Sequence, residues 1–165
     1  MNIASTSHPY LMIGYGNTLR CDDGVGYRVA EIVAGWNLAG VRSLSVHQLT
    51  PDLADDIAKA EVVLFVDAGT SSELAVESIT PTFTERFGSP TGSPTGNFAE
   101  GFSGHYAEPR SLLCVTHLLY DTIPTAYRVL IPAVDFSFGE TFSSVTQSNM
   151  SLALAKIKDL INLYA

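Results

Sequence analysis

The chain has 165 residues, of which 46% are hydrophobic, and this length favours one domain over residues 1–165 with a substantial core. Its 17 acidic residues outnumber its 9 basic residues, and the formal net charge of −8 disfavours nucleic acid and anionic lipid as partners. The N-terminal sequence lacks a basic segment and a long apolar one, so we expect a cytoplasmic protein that does not insert into a membrane.

Apolar runs and segments of helical periodicity alternate along the first half of the chain. Tyr10–Gly16 predicts a buried first strand, and Gly24–Trp36 carries apolar residues at the three- and four-residue spacing of an amphipathic helix. Ser43–Leu49 predicts a second strand, and the Thr-Pro-Asp sequence after it predicts a helix that runs to Lys59. The unbroken apolar run Val62–Val66 is typical of a central strand that is covered on both faces.

The second half of the chain continues the alternation after a loop. Ala75–Pro81 predicts a further strand, and the glycine-, serine- and proline-rich segment Gly88–Gly104 predicts a mobile loop. Pro109–Tyr120 predicts a helix, Tyr127–Val134 another core strand, and Ser144–Leu163 a closing amphipathic helix. Strands that alternate with helices predict an α/β fold with a mostly parallel, twisted sheet and helices on both faces, a three-layer sandwich.

Three side chains are candidates for chemistry at one edge of this sheet, because sites in such folds lie at the carboxyl ends of strands. Asp23 lies at the start of the first helix, and Asp67 directly follows the apolar run of a core strand, where a carboxylate is partly desolvated. His105 follows the predicted loop. Two carboxylates and an imidazole suit a borderline metal such as nickel, zinc or cobalt. The alternative is structural: Asp22 caps the helix, Asp23 sits in its first turn and Asp67 caps a turn.

Other readings of the same segments are weaker. Residues 14–26, GYGNTLRCDDGVG, begin like a dinucleotide-binding turn, but Leu19 replaces the third glycine and two carboxylates would repel a pyrophosphate. The hypothesis of a Rossmann-like nucleotide-binding module therefore rests on fold analogy alone. The sequence contains no GxSxG turn that would present a serine nucleophile. Cys21 and Cys114 are typical of buried structural thiols.

Three motifs together resemble the [NiFe]-hydrogenase maturation proteases over nearly the whole chain. They are GYGNTLRCDDGVG, then VDAG at Asp67, then GH-x3-P-x2-LL from His105 to Leu113. The segment HQLTPDLA, His47–Ala54, is similar to the branch that serves bidirectional, NAD(P)-linked hydrogenases. His47 could add a polar group to the site, or it could be a partly buried strand histidine bonded to backbone.

The resemblance implies an α/β/α fold and an endopeptidase that removes a C-terminal peptide from the precursor of a [NiFe]-hydrogenase large subunit. It implies that Asp23, Asp67 and His105 contact nickel already inserted in that precursor, so the nickel belongs to the substrate and no permanently bound cofactor is expected. We expect these three residues to position the scissile bond for attack by water, with Asp22 as possible support. The alternative function is a non-catalytic docking module or metallochaperone that binds the nickel-loaded partner without cutting it.

Overall fold

The predicted strands pair into one five-stranded sheet. The computed structural model describes residues 9–81 and 108–164 of the chain. The strands are β1 (Tyr10–Tyr15), β2 (Val41–Val46), β3 (Val62–Gly69), β4 (Ala75–Ile79) and β5 (Thr125–Pro132). Their order across the sheet is β2-β1-β3-β5-β4, and all neighbours are parallel except β4, which pairs antiparallel to β5 at one edge. The prediction of a mostly parallel sheet is confirmed.

Helices cover both faces of this sheet. They are α1 (Val25–Gly35), α2 (Leu53–Ala58), α3 (Pro109–Tyr120) and α4 (Ser144–Tyr164), and a 3-10 turn, Cys21–Gly24, precedes α1. The buried side chains of α1 and α4 form one apolar cluster with the sheet, and those of α2 and α3 form a second cluster on its other face. The predicted three-layer α/β/α architecture is therefore confirmed, while its extent over the whole chain stays a prediction. Within the described residues, no helix combines the length and apolarity needed to cross a membrane.

The unbroken apolar run of β3 is explained by these two clusters. Val62, Leu64 and Val66 face the cluster of α1 and α4, whereas Val63 and Phe65 face that of α2 and α3. Side chains alternate between the two faces of a strand, so a strand covered on both faces must be apolar throughout. The central position predicted for this run is confirmed.

The position of β2 differs from the prediction, whereas the prediction for the loop before α3 stays untested. The register Tyr10↔Val41 to Tyr15↔Val46 ends β2 at Val46, so the predicted strand Ser43–Leu49 was placed too late in the sequence. The chain turns after Val46, and Leu49 is buried through the cluster of α2 and α3 rather than through strand pairing. The predicted mobile loop, Gly88–Gly104, lies outside the described residues, as does His105.

Two glycines bring α1 close to the strand ends. A Cβ atom on Gly26 would lie 2.2 Å from the carbonyl oxygen of Val66, and one on Gly14 would lie 2.0 Å from the carbonyl oxygen of Gly26. No side chain fits at such distances, so both positions require glycine for close packing of α1 on β1 and β3. The glycine pattern of residues 14–26 thus has a packing explanation that involves no nucleotide.

The carboxylate of Asp22 ties together three segments that are distant in sequence. Asp22 is fully buried, and its Oδ2 accepts hydrogen bonds from the backbone N–H groups of Val134 and Asp135, each at 2.9 Å. Ser143 donates its N–H to Oδ1 and its hydroxyl to Oδ2, each at 2.7 Å. The same hydroxyl accepts the N–H of Thr146 at 3.2 Å in the first turn of α4. Asp22 therefore joins the turn after β1 to the chain after β5 and to the start of α4.

The charge of Asp22 is stabilised by these hydrogen bonds. Burial alone would raise the pKa of this carboxyl group, but the hydrogen bonds from Val134, Ser143 and Asp135 outweigh it and lower the pKa to about 2. A group whose pKa is lower in the folded than in the unfolded state stabilises the fold while it is ionised. This contribution is complete above the ordinary value of 3.8 and is lost as the pH falls through about 2.

We expect Asp22→Asn to lower the free energy of unfolding at pH 7 by about 2 kcal/mol or more, because the charge and one acceptor oxygen are lost. Denaturant unfolding at pH 7 and at pH 2.5 measures the effect, and the difference from the natural protein should shrink at the lower pH. Asp121→Asn is the matched control, since the side chain of Asp121 is 98% exposed and asparagine tolerates its left-handed backbone, φ 54°. Equal stability of the natural protein and the Asp22→Asn variant would contradict the anchoring role.

Candidate functional site

A cavity of about 840 Å³ opens at the carboxyl ends of β1 and β3. The connection after β1 leads towards β2 and the connection after β3 leads towards β4, so these neighbouring strands form the topological switch point of the sheet. The described residues that line the cavity come from the end of β1 and the chain after it, the chain after β2, the end of β3, the start of α3 and the interior of β5. They are Tyr15, Gly16, Asn17, Thr18, Leu19, Arg20, Asp23, His47, Gln48, Leu49, Asp67, Ala68, Glu108, Pro109 and Arg128.

Asp23 faces this cavity from the 3-10 turn before α1. Its Oδ2 accepts the backbone N–H of Asn17 at 2.9 Å, and the side chain of Asn17 in turn accepts the N–H of Leu19 at 2.9 Å. Gly16 adopts φ 144°, and a Cβ atom there would lie 1.9 Å from the carbonyl oxygen of Asp23. The turn after β1 thus closes tightly over the 3-10 turn, which fixes the backbone that carries Asp23.

Asp67 enters the cavity from β3. One carboxylate oxygen accepts the backbone N–H of Ala68 at 2.8 Å, and the hydroxyl of Tyr15 donates a hydrogen bond to the carboxylate. The Nη2 atom of Arg128 lies 3.7 Å from the second oxygen, which is an ion-pair distance but longer than a hydrogen bond. The side chain of Asp67 is 20% exposed, so the predicted partial desolvation of this carboxylate is confirmed.

The environment of Asp67 disfavours its charged form. Burial raises the pKa of this carboxyl group, and the hydrogen bond from Tyr15, the charge of Arg128 and the N–H of Ala68 only partly oppose it, while the negative charge of Asp23 adds to the rise. Burial, together with the nearby Asp67 carboxylate, also raises the pKa of the Tyr15 hydroxyl, which therefore stays a neutral donor. A cation beside Asp67 would relieve this unfavourable burial of negative charge.

Two of the three predicted metal-contacting residues are thus described, and both line one cavity. Asp23 comes from the 3-10 turn before α1 and Asp67 from β3, and the shared cavity brings them together. Within residues 9–81 and 108–164, no group of three His, Cys, Asp or Glu side chains is arranged to hold a metal ion. Because His105 lies outside the described residues, the third contact stays a prediction. Glu108, three residues after His105 in sequence, lies on the cavity lining.

Asp22 and His47 differ from the sequence-based expectations. Asp22 makes no capping hydrogen bond in the turn or in α1, and it is absent from the described cavity lining. Its buried, fully hydrogen-bonded carboxylate leaves nothing to support it as a base.

His47 is exposed beyond the end of β2, so its interpretation as a partly buried strand histidine is wrong. Its ring stacks on Tyr27 with centroids 5.1 Å apart, and it lines the cavity.

Tyr15 and Arg128 are cavity residues that the sequence analysis did not single out. Tyr15 is the last residue of β1 and stands between two glycines. Its position at a strand end is the one sequence signal that could have indicated a site residue. Arg128 had a clearer signal, because a basic residue stands inside an otherwise mostly apolar strand. The two cysteines follow the prediction: Cys21 and Cys114 are both buried, and neither forms a disulfide.

Solved structures share this architecture over almost their entire length. A [NiFe] hydrogenase maturation protease, HycI from Thermococcus kodakarensis KOD1, aligns with 98% of this chain and 97% of its own at a TM-score of 0.65 and 17% identity. HybD from Thermococcus kodakarensis aligns at a TM-score of 0.62 and 17% identity, over 92% of this chain and 97% of its own. The hydrogenase maturating endopeptidase HybD from E. coli aligns at a TM-score of 0.61 and 14% identity, over 94% and 93%.

The chain has the fold of the [NiFe] hydrogenase maturation proteases. The predicted resemblance is confirmed at this level. No protein-family model matches the sequence, and no curated protein matches it either. The likeness therefore lies in the three-dimensional arrangement, and the chemistry within the maturation-protease fold must be argued from the residues of this chain.

We expect Asp67→Asn to leave the stability of the protein unchanged or to raise it. A carboxyl group with a raised pKa in the folded state lowers stability once the pH exceeds its unfolded value, and the neutral amide removes this penalty at pH 7. Thermal melts of the natural protein and the variant at pH 7 measure the effect. A drop of several degrees would show instead that Asp67 is a structural anchor like Asp22.

Proposed function

We propose that this protein is an endopeptidase that removes the C-terminal peptide of a nickel-loaded [NiFe]-hydrogenase large-subunit precursor. The observation that carries the proposal is the meeting of Asp23 and Asp67 in one cavity at the switch point of a maturation-protease fold. The carboxylate of Asp67 is partly buried, and Tyr15, Arg128 and the N–H of Ala68 only partly offset the unfavourable burial of its charge, which supports a role in meeting further positive charge. The cytoplasm is the proposed compartment.

The proposed recognition uses Asp23 and Asp67 as oxygen ligands and His105 as a nitrogen ligand for the nickel that the precursor already carries. Support for His105 comes from Glu108 on the cavity lining, because three residues of chain span at most about 11 Å. Such contacts would position the precursor so that the scissile bond lies beside the cavity for attack by water. The prediction of a branch that serves bidirectional hydrogenases stays a prediction.

Asp23 and Asp67 have different surroundings, so we expect their carboxylates to contribute differently to ligand binding. Asp23 is oriented by one backbone N–H and is only partly buried, so one of its oxygens is open to a ligand. Asp67 is held by hydrogen bonds from Tyr15 and from the N–H of Ala68, which fix its position before the substrate arrives, while Arg128 stays 3.7 Å away. Pre-organised ligands reduce the entropy lost on binding. The precursor's nickel would thus meet one fixed and one more accessible carboxylate.

The test is incubation of the purified protein with nickel-loaded and nickel-free precursor, with mass spectrometry of the large subunit. Only the nickel-loaded precursor should be shortened, and Asp23→Asn, Asp67→Asn and His105→Ala should each reduce the rate by roughly 100-fold or more, because ligand loss misplaces the substrate. Asp121→Asn, with an exposed carboxyl group away from the cavity, is the matched control and should cut normally.

Two results would overturn this function. If the nickel-free precursor is cut equally well, or if the Asp67→Asn variant keeps full activity, the proposal that this site recognises nickel is contradicted. Binding of the nickel-loaded precursor without any shortening would identify the alternative function, a docking module that does not cut.

A further inference from the structure

Arg128 is placed beside the proposed nickel-contacting carboxylate by strand pairing. It lies opposite Phe65 in the β3–β5 ladder, and Asp67 is two residues further along β3 on the same face. Diagonal neighbours of this kind are within reach of long side chains. The side chain of Arg128 is 34% exposed and borders the cavity.

The hydrogen-bond donors of Arg128 are unused within the described residues. Its Nε is buried and has no partner there, and its Nη2 stays 3.7 Å from the Asp67 carboxylate. Arg20, the other guanidinium on the cavity lining, differs because its Nε donates to the carbonyl oxygen of Phe136 at 3.3 Å. A buried donor without a partner is unfavourable, so its retention at a cavity wall points to a ligand that completes it.

A role as a counter-ion alone explains this geometry poorly. Arginine and carboxylate groups that serve each other form close, often bidentate hydrogen bonds, whereas here the two groups stay apart at 3.7 Å. The ligand must therefore bring its own acceptor. A polypeptide substrate offers main-chain carbonyl oxygens, which are strong acceptors that a guanidinium can bind with more than one donor.

We propose, resting on the function proposed above, that Arg128 binds the precursor directly by donating hydrogen bonds to a main-chain carbonyl oxygen next to the bond that is cut. When the precursor's nickel binds Asp67, the nickel ion neutralises that carboxylate and repels the guanidinium of Arg128. The N–H groups of Arg128 are then free to donate to the peptide. Arg128 is then a substrate-binding residue that engages only when the nickel-loaded precursor is present.

The test combines cleavage kinetics with metal titration of Arg128→Met, which keeps the length of the side chain but removes its charge and donors. We expect kcat/KM for the nickel-loaded precursor to fall roughly 10–100-fold, the effect of losing hydrogen bonds from a charged group. The affinity of the isolated variant for Ni²⁺ should stay equal or increase, because a cation that competes for Asp67 is gone. Arg128→Lys keeps the charge but not the planar fork, and it should restore less than half of the lost activity.

Arg28→Met is the matched control, since Arg28 is an exposed arginine on α1 that pairs with Glu31 and does not border the cavity. It should cut as the natural protein does. Normal cutting by Arg128→Met, or full activity of Arg128→Lys, would overturn the proposed hydrogen bonds. A parallel loss of Ni²⁺ affinity and cutting would overturn them too, because Arg128 would then act only by holding Asp67. If the natural protein itself leaves the nickel-loaded precursor intact, the proposed function fails, and this inference with it.

Discussion

The buried carboxylate of Asp22 is the interaction on which the arrangement of the site depends. Its four hydrogen bonds to Val134, Asp135 and Ser143 fasten the turn after β1 to the chain that leaves β5. A buried charge is tolerated only when it is fully hydrogen-bonded, and this one is stabilised enough to hold its pKa near 2. The connections after two strands are thereby locked together at the edge of the sheet where the cavity opens.

The adjacent residues Asp22 and Asp23 of the Asp-Asp-Gly sequence consequently have different environments. Asp22 points into the protein and is saturated by donors, whereas Asp23 lines the cavity and, within the described residues, accepts one backbone hydrogen bond. Asp67 is intermediate, because it is partly buried yet incompletely neutralised by Tyr15 and Arg128. The protein thus uses one carboxylate to hold the backbone, whereas the other two line the cavity, where we propose that they meet a positively charged ligand.

Sequence periodicity was sufficient to predict the layers of the fold and to place Asp23 and Asp67 at the same edge of the sheet, where both line one cavity. The run Val62–Val66 indicated a strand covered on both faces, and Asp67, directly after that run, lies near the carboxyl end of β3, which continues to Gly69. The role of Asp22 could not be read in this way, since its partners lie more than 110 residues away in sequence. The end of β2 was missed for a related reason: pairing with β1 sets it, and the local apolar pattern of residues 43–49 does not. Arg128 was overlooked because a strand pattern does not reveal which neighbour a charged side chain meets.

The most direct test of the account is X-ray diffraction at the nickel absorption edge from crystals of this protein soaked in millimolar Ni²⁺. The account predicts one anomalous peak within coordination distance of carboxylate oxygens of both Asp23 and Asp67, with Asp22 still bonded to Val134 and Ser143. The peak should disappear in the Asp67→Asn variant. A nickel ion bound elsewhere on the cavity wall, for example by His47 and Glu108 without either aspartate, would contradict the central claim.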